Sequence, residues 1–286
     1  MDKWTPELWL SSTEAEVYEG TEDITSPAAR ELLVQAGLIQ SSSTTTSAPS
    51  STPGSHLDIL DNGAGIAQLT EILLDQPGLR GSKIVCGDID ESLLEAVRRK
   101  AKKNRWENVE VKKIDTHAMD IPDTQFTHIF GSFIYMLLPD PITALKESIR
   151  VLQPGGTLGL TTWSKSGPFI LLQEAQSRIP TAPKPDPSAP KRLNDSFRDP
   201  SFIRQTLTEL GLTDVVINSF EFKQRGENAR DFSRKMRHPV RLVTPRWDEE
   251  KRWSMFEKIE EIMKERFGKD EVWITSEAWI VTARKP

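Results

Sequence analysis

Two glycines at the end of an apolar stretch could bring the backbone close to a ligand. Residues 57–70 read LDILDNGAGIAQLT: an apolar run, an acid at Asp61, the loop Gly63-Ala64-Gly65 and the start of an apolar-periodic helix. Glycine permits a close backbone approach because it has no side chain. An ordinary tight turn between a strand and a helix would look the same. The segments downstream must separate these two interpretations.

The spacing of this loop argues against a dinucleotide site. Dinucleotide folds use G-x-G-x-x-G/A, and the sixth position here is Gln68. They also place a pyrophosphate at the N-terminus of the following helix, where backbone amides and the helix dipole favour anions. A carboxylate at Asp61 would repel that pyrophosphate. The loop therefore favours a ligand that presents positive charge here.

A second acid follows the next apolar stretch. The segment KIVCGDIDESLL, residues 83–94, ends its apolar part at Asp88. The Asp88 carboxylate could accept hydrogen bonds from both hydroxyls of a ribose, and Ile89 could pack on an adenine face. Dinucleotide folds carry an acid about 20 residues past the loop as well, so Asp88 does not discriminate by itself. A surface residue at a strand end is the alternative.

The segment KIDTHAMDIPD, residues 113–123, follows a third strand-like stretch and would lie beside the base. Asp115, His117, Ala118 and Met119 are the candidates for this contact. A loop plugged by a buried Met119 is the alternative. His117 is also the candidate general base, although a structural loop histidine is the preferred interpretation.

Two further segments end in aromatic residues. FTHIFGSFIYMLLPDP contains a strand that ends at Ser132 and Phe133, and Tyr135 and Met136 follow it. IRVLQPGGTLGLTTWSK contains a helix end, a Pro-Gly-Gly turn and an apolar strand that reaches Trp163. Aromatic side chains suit flat apolar ligands, so these residues are candidate walls of an acceptor pocket. Core packing is the alternative for Trp163.

Strands that alternate with helices would position these residues. Such alternation predicts a parallel α/β sheet covered on both faces. Asp90 and Asp140 are predicted helix N-caps, and Pro154-Gly155-Gly156 is predicted to end the third helix. The strand-like stretches are 57–61, 83–88, 108–113, 126–133, 157–163, 213–222 and 277–285, and the helical ones are 65–75, 91–103, 141–152 and 168–178.

The chain divides by composition into three parts. Residues 1–40 predict an N-terminal helical cap, with a helix that starts at Ser26-Pro27. SSSTTTSAPSSTPGS follows without apolar periodicity and predicts a flexible linker over 41–56. Residues 57–286 form the predicted core, with lid insertions near 164–200 and 223–270.

Composition and charge exclude several classes of function. Lys and Arg number 37 against 42 Asp and Glu, a net charge of -5, so nucleic acid is not expected as a partner. No apolar run approaches a membrane span and no signal peptide is evident, so a cytoplasmic location is expected. Cys86 is the only cysteine. The four histidines have no metal-ligand spacing, so no metal is expected.

Residues 223–246 carry eight Lys and Arg, and a solvated face is preferred over an anion site.

In this order, Asp61-x-Gly63-x-Gly65, Asp88, the strand that ends at Phe133 and RVLQPGGTLGLTTW resemble class I S-adenosylmethionine-dependent methyltransferases. The resemblance covers about residues 15–285. TTWSK, the proline-rich loop and AWIVTARK are similar to fungal methyltransferases that act on small natural products. The departures are Ala67 for a third glycine, Thr127-His128 where Phe-Asp is common, and the Ser/Thr linker.

The resemblance implies a fold and a cofactor. The fold is a Rossmann-like, seven-stranded, mostly parallel sheet with helices on both faces and the last strand antiparallel, which suits the C-terminal strand-like stretches. The cofactor is S-adenosyl-L-methionine, which has a cationic sulfonium and an ammonium that Asp61 can help to place. The expected cofactor-binding residues are Tyr18, Thr25, Asp61, Gly63, Ala64, Gly65, Asp88, Ile89, His117, Ala118, Met119, Ser132 and Phe133. The expected substrate residues are Phe133, Tyr135, Met136 and Trp163.

The expected activity is methyl transfer to a small-molecule acceptor on O, N or S. Such transfer is an in-line displacement, in which the protein excludes water and orients the acceptor. Two alternatives stay open: a protein methyltransferase, and a protein that binds S-adenosylmethionine without methyl transfer, either a cyclase-type catalyst or a partner subunit. The acceptor atom and the oligomeric state do not follow from the sequence.

Overall fold

The computed structural model describes residues 22–40, 56–180, 182, 194–244 and 247–286. The predicted linker residues 41–55 and the candidate Tyr18 lie outside the described residues.

Seven strands form one sheet in the order β3-β2-β1-β4-β5-β7-β6. The first five strands in this order, β3 to β5, pair in parallel with one another. Between β5 and β7, the amide of Gly155 donates to the carbonyl of Lys285 (2.7 Å) and the amide of Lys285 donates to Gly156 (3.0 Å), so the start of β5 meets the end of an antiparallel β7. The predicted Rossmann-like sheet with an antiparallel last strand is confirmed. The strands are β1 Asp58–Asn62, β2 Lys83–Asp88, β3 Val109–Lys113, β4 Phe126–Ser132, β5 Leu152–Lys165, β6 Thr213–Gly226 and β7 Val272–Arg284.

Helices lie between and around these strands, and several begin at acidic caps. The Asp90 side chain accepts from the amides of Ser92 (2.8 Å) and Leu93, and Asp140 accepts from the amide of Thr143 (3.0 Å), so both predicted caps are confirmed. The helices are α1 Glu22–Gln35, α2 Gln68–Leu74, α3 Glu91–Asn104, α4 Pro141–Val151, α5 Gly167–Ser177, α6 Pro200–Glu209, α7 Ala229–Lys235, α8 Arg237–Val243 and α9 Glu249–Phe267.

Three predicted helix boundaries were wrong, and the last two strands, β6 and β7, differ from the predicted 213–222 and 277–285. Helix α1 already includes Glu22, so Pro27 lies inside it and not at its start. Helix α2 begins only at Gln68, because Ala67 before it has a left-handed backbone (φ 66°). The Pro154-Gly155-Gly156 turn does not end α4 but lies within β5. There the register moves from Phe126–Leu152 to His128–Thr157, so the turn interrupts the regular pairing of β5 with β4.

The chain divides into two compact units. One comprises Thr25–Ser164, Leu193–Phe220 and Ala278–Pro286 as far as these are described, and contains β1 to β4 with their connections. The other comprises the described residues among Met1–Ile24, Lys165–Arg192 and Glu221–Glu277. Its core packs α5, α7 and α9 together, with Leu172, Phe232 and Met255 buried at its centre. None of the described helices is both long enough and apolar enough to cross a membrane.

Candidate functional site

The glycine loop after β1 combines one crowded glycine with one open glycine. Gly63 has φ 69°, and a Cβ there would lie 2.0 Å from the Cδ1 of Ile134, so any other residue would need both a left-handed backbone and a shift of Ile134. Gly65 has φ 56°, and a Cβ there would meet nothing within 4 Å. The first glycine therefore serves packing, whereas the second faces open space where a ligand can approach the backbone.

The amides of this loop are already used by β2. Gly63 and Ala64 both donate to the carbonyl of Gly87 (2.8 and 2.9 Å), and Gly65 donates to Oδ2 of Asp88 (2.9 Å). A pyrophosphate at the loop would need such amides free. The geometry therefore supports the sequence argument against a dinucleotide.

Asp61 lies under the loop and caps α2. Its Oδ2 accepts from the hydroxyl (2.7 Å) and the amide (3.2 Å) of Thr70, while the Ala67 N-cap makes no side-chain bond. Asp61 is 2% exposed, and burial raises the pKa of its carboxyl to about 6, against the opposing hydrogen bonds from Thr70. The position that an anion would take at the helix N-terminus thus holds a carboxylate. A cation nearby would stabilise its charged form.

Asp88 and Ile89 follow β2 side by side. Oδ1 of Asp88 accepts from the amide of Asp90 (3.0 Å), and Oδ2 accepts from Gly65, which leaves each oxygen one further lone pair. Burial raises the pKa of Asp88 above its usual value. The neighbouring Ile89 is 61% exposed. A half-buried carboxylate beside an exposed apolar side chain can hold a ribose and the face of its base.

The segment after β3 returns to the end of β1. The hydroxyl of Thr116 donates to Oδ1 of Asn62 (2.9 Å) and thereby brings the loop to this strand end. Asp115 Oδ1 accepts from the amide of His117 (2.9 Å) and faces its Nδ1 (3.1 Å). The Nε2 of His117 is shielded from solvent and has no hydrogen-bond partner among the described residues. Met119 is buried, whereas Asp115 and Ala118 are exposed and His117 is half-buried, so these three residues offer side chains to a ligand here.

Phe133, directly after β4, and Trp163, near the end of β5, meet at the carboxyl ends of these strands, and both side chains are buried. Their rings stack with centroids 4.1 Å apart and an interplanar angle of 28°. Phe133 has a left-handed backbone (φ 57°), held by its amide, which donates to the hydroxyl of Thr161 (3.0 Å). Such a conformation costs about 1–3 kcal/mol in a residue with a side chain and is concentrated at functional sites. Ser132 joins this group through its hydroxyl, 3.1 Å from that of Thr161.

Tyr135 and Met136, which follow Phe133 in the chain, are buried. The hydroxyl of Ser148 donates to the carbonyl of Ala144 (2.9 Å), so the hydroxyl of Tyr135 donates to Ser148 (2.8 Å). The sulfur of Met136 accepts from the hydroxyl of Thr162 (3.1 Å). These bonds give both residues a supporting role, and their contact with an acceptor stays a prediction.

Two further residues lie close to the glycine loop. Thr25, a predicted cofactor residue, donates to Oε1 of Gln68 at the start of α2 (2.7 Å). Lys100 on α3, which the sequence analysis did not single out, donates to the carbonyl of Ile66 (3.0 Å) and pairs with Glu71 (2.9 Å). No local signal marks Lys100, because its partners are far away in the sequence. Across the described residues, no group of side chains suited to hold a metal ion occurs.

Comparisons with known proteins agree with this geometry. Residues 60–160 match the family described as Methyltransferase domain. The chain is 29% identical over 174 residues to the methyltransferase tpcH of Aspergillus fumigatus, a match that covers 58% of this chain and 60% of that protein. It is 26% identical over 299 residues to the acetylaranotin bis-thiomethyltransferase of Aspergillus terreus, covering 98% and 97%. The YcgJ protein of Bacillus subtilis has the same fold, at 14% identity, with a TM-score of 0.54 over 90% of this chain and 97% of that one.

The family match and the named relatives identify the activity. The chain is an S-adenosylmethionine-dependent methyltransferase. The open face of Gly65, the Asp88–Ile89 pair and the acid at Asp61 fit that cofactor.

Proposed function

We propose that this S-adenosylmethionine-dependent methyltransferase methylates a small natural-product molecule, with sulfur as the favoured acceptor atom and oxygen or nitrogen as the alternatives. The observation that supports a small flat acceptor best is the stacked pair of Phe133 and Trp163 at the carboxyl ends of β4 and β5. Ligands of open α/β sheets bind beyond the carboxyl ends of the strands, and aromatic planes suit flat apolar molecules.

The cofactor would lie across the ends of β1, β2 and β4. In this proposal Asp88 binds the ribose, Ile89 and the His117 segment contact the base, and the ionised Asp61 attracts the ammonium. Ser132 and Phe133 then adjoin the sulfonium end. S-adenosylmethionine supplies the electrophilic methyl group, and the residues of the chain orient it and exclude water.

Sulfur is favoured because the described residues at the ends of β4 and β5 include no base. Ser132, Phe133, Thr161 and Trp163 carry no group that takes a proton at neutral pH. A thiol, with a pKa of about 8.5, forms its own nucleophilic thiolate, whereas most alcohols need a base. The A. terreus relative, similar over almost the whole chain, is named as a thiomethyltransferase. His117 is the candidate base for an oxygen or nitrogen acceptor.

A matched acceptor panel tests this proposal. Purified protein is incubated with methyl-labelled S-adenosylmethionine and either benzyl mercaptan, benzyl alcohol or benzylamine, which differ only in the acceptor atom. We expect labelled thioether together with an equal amount of S-adenosylhomocysteine. Transfer to the alcohol or amine alone would overturn the preference for sulfur. Transfer to added peptides but to no small molecule would overturn the acceptor class, and cofactor binding without any transfer would favour a non-methylating role.

A further inference from the structure

Arg150 belongs to the RVLQPGG segment, and its guanidinium uses every donor it has. On α4, Nε and Nη2 donate to the two carboxylate oxygens of Glu147 (2.9 and 2.8 Å). Nη2 also donates to the carbonyl of Met119 (3.0 Å), and Nη1 donates to the carbonyl of Ile121 (2.9 Å) and to Oδ1 of Asp123 (2.6 Å). These bonds occupy all five N–H groups of an arginine.

Glu147 completes a clamp on one peptide unit. Its Oε2 accepts from the amide of Met119 (3.0 Å), while Arg150 binds the carbonyl of the same residue. Both backbone groups of Met119 are therefore held by one ion pair on α4. The hydrogen bonds from Arg150 lower the pKa of Glu147, so the acceptor is ionised at neutral pH.

The clamped segment connects β3 to β4 without a helix. Its first anchor is the bond from Thr116 to Asn62, and its second is the clamp at Met119. His117 and Ala118 lie between these two anchors. Their position relative to β1 therefore depends on a side chain of α4, which begins only after β4.

We propose that Arg150 is a positioning residue that sets the base-binding side of the cofactor site. The inference rests on the proposed placement of the base beside His117 and Ala118. Lysine cannot replace arginine here, because a single ammonium cannot bond both oxygens of Glu147 and the carbonyls of Met119 and Ile121 in one plane.

The test compares Arg150→Lys with Arg178→Lys as a matched control. The side chain of Arg178 is 32% exposed against 31% for Arg150, and its bonds go to the carboxylates of Glu174 and Glu265. Calorimetry measures the Kd of S-adenosylhomocysteine and of S-inosylhomocysteine, which differ at the 6-position of the base. Hydrogen exchange is followed at the amide of Met119. Glu147→Gln is the second variant in case Arg150→Lys does not fold.

We expect Arg150→Lys to weaken S-adenosylhomocysteine binding about tenfold and S-inosylhomocysteine binding less, so that discrimination between the bases falls. Exchange at Met119 should accelerate, and Arg178→Lys should change none of these values. Glu147→Gln should lower the discrimination in the same direction. Unchanged discrimination in Arg150→Lys, or unchanged exchange at Met119, would overturn the positioning role. If the unaltered protein binds neither compound, the proposed function itself fails, and exchange at Met119 still shows whether the clamp exists.

Discussion

Replacing the buried acid under the glycine loop should stabilise the protein and weaken its cofactor binding. Burial raises the pKa of Asp61 from 3.8 to about 6. A shift of this size corresponds to about 3 kcal/mol of unfavourable free energy when the carboxylate is ionised in the folded state. An asparagine keeps an oxygen for the hydroxyl and amide of Thr70 without this cost. Asp61→Asn should therefore raise the free energy of unfolding at neutral pH by up to about 3 kcal/mol.

The pH dependence gives the sign of this effect. The folded pKa of Asp61 lies above the unfolded value, so the favourable contribution of its protonated form is complete below pH 3.8 and is lost as the pH rises towards about 6. The difference in stability between Asp61→Asn and the unaltered protein should grow across that window and stay constant above it.

Cofactor affinity should change in the opposite direction. If the ionised Asp61 attracts the ammonium of the cofactor, affinity follows the ionised fraction, which rises from about one tenth near pH 5 to about nine tenths near pH 7. Calorimetry should show affinity for S-adenosylhomocysteine rising about tenfold over this range in the unaltered protein and remaining flat in Asp61→Asn. At about pH 5 the unaltered protein and Asp61→Asn should have similar affinities for S-adenosylhomocysteine.

The matched control is Asp58→Asn on the same strand. The amide and carbonyl of Asp58 bond Thr127, and the substitution leaves these backbone groups in place. Asp58→Asn should change neither the pH dependence of the free energy of unfolding nor the affinity for S-adenosylhomocysteine. Equal cofactor affinity of Asp61→Asn and the unaltered protein at neutral pH would mean that Asp61 only caps α2. A lower melting temperature for Asp61→Asn would refute the reasoning from burial.

Three further substitutions test other parts of the site. Asp88→Ala should weaken S-adenosylhomocysteine binding at least about tenfold, because two ribose bonds and the anchor of Gly65 are lost, and unchanged affinity in calorimetry would remove the ribose role. Trp163→Ala should raise the KM of the acceptor while the cofactor Kd stays near wild type, and Trp163→Phe is the control that keeps the stacking. If Trp163→Ala does not fold, Trp163 is a core residue and not part of an acceptor pocket. Lys100→Met should weaken cofactor binding several-fold, whereas Lys103→Met on the same helix should not.

The positions of the strands along the chain and the candidate loop could be predicted because their signals are local. An apolar run followed by an acid and two glycines marks the end of β1, and Asp90 and Asp140 mark helix starts by bonding amides two or three residues later. Such contacts depend on neighbours in the sequence. The antiparallel last strand came from the family resemblance, since nothing local specifies pairing between β5 and β7.

Contacts across the fold could not be predicted in this way. Lys100 reaches Ile66 from another helix, and Arg150 reaches Met119 from beyond β4. In the sequence, these two residues cannot be distinguished by type or spacing from a lysine or arginine on a solvent-exposed helix face. The start of α1 was wrong for a related reason: Ser26-Pro27 is a typical cap, but the helix already includes Glu22 and accepts the loss of one amide donor at Pro27.

Ala67 stands where related methyltransferase loops have a third glycine, and the free-energy cost of this departure is small. A left-handed backbone costs an alanine about 1–2 kcal/mol, which glycine would avoid. The fully buried methyl group of the alanine contributes about 0.8 kcal/mol against this cost. The remaining penalty is small, so the loop tolerates alanine in place of the third glycine. Gly63 is different, because Ile134 occupies the space that any Cβ would need. The loop therefore requires glycine where the fold itself crowds the backbone, and tolerates alanine where the only penalty is conformational.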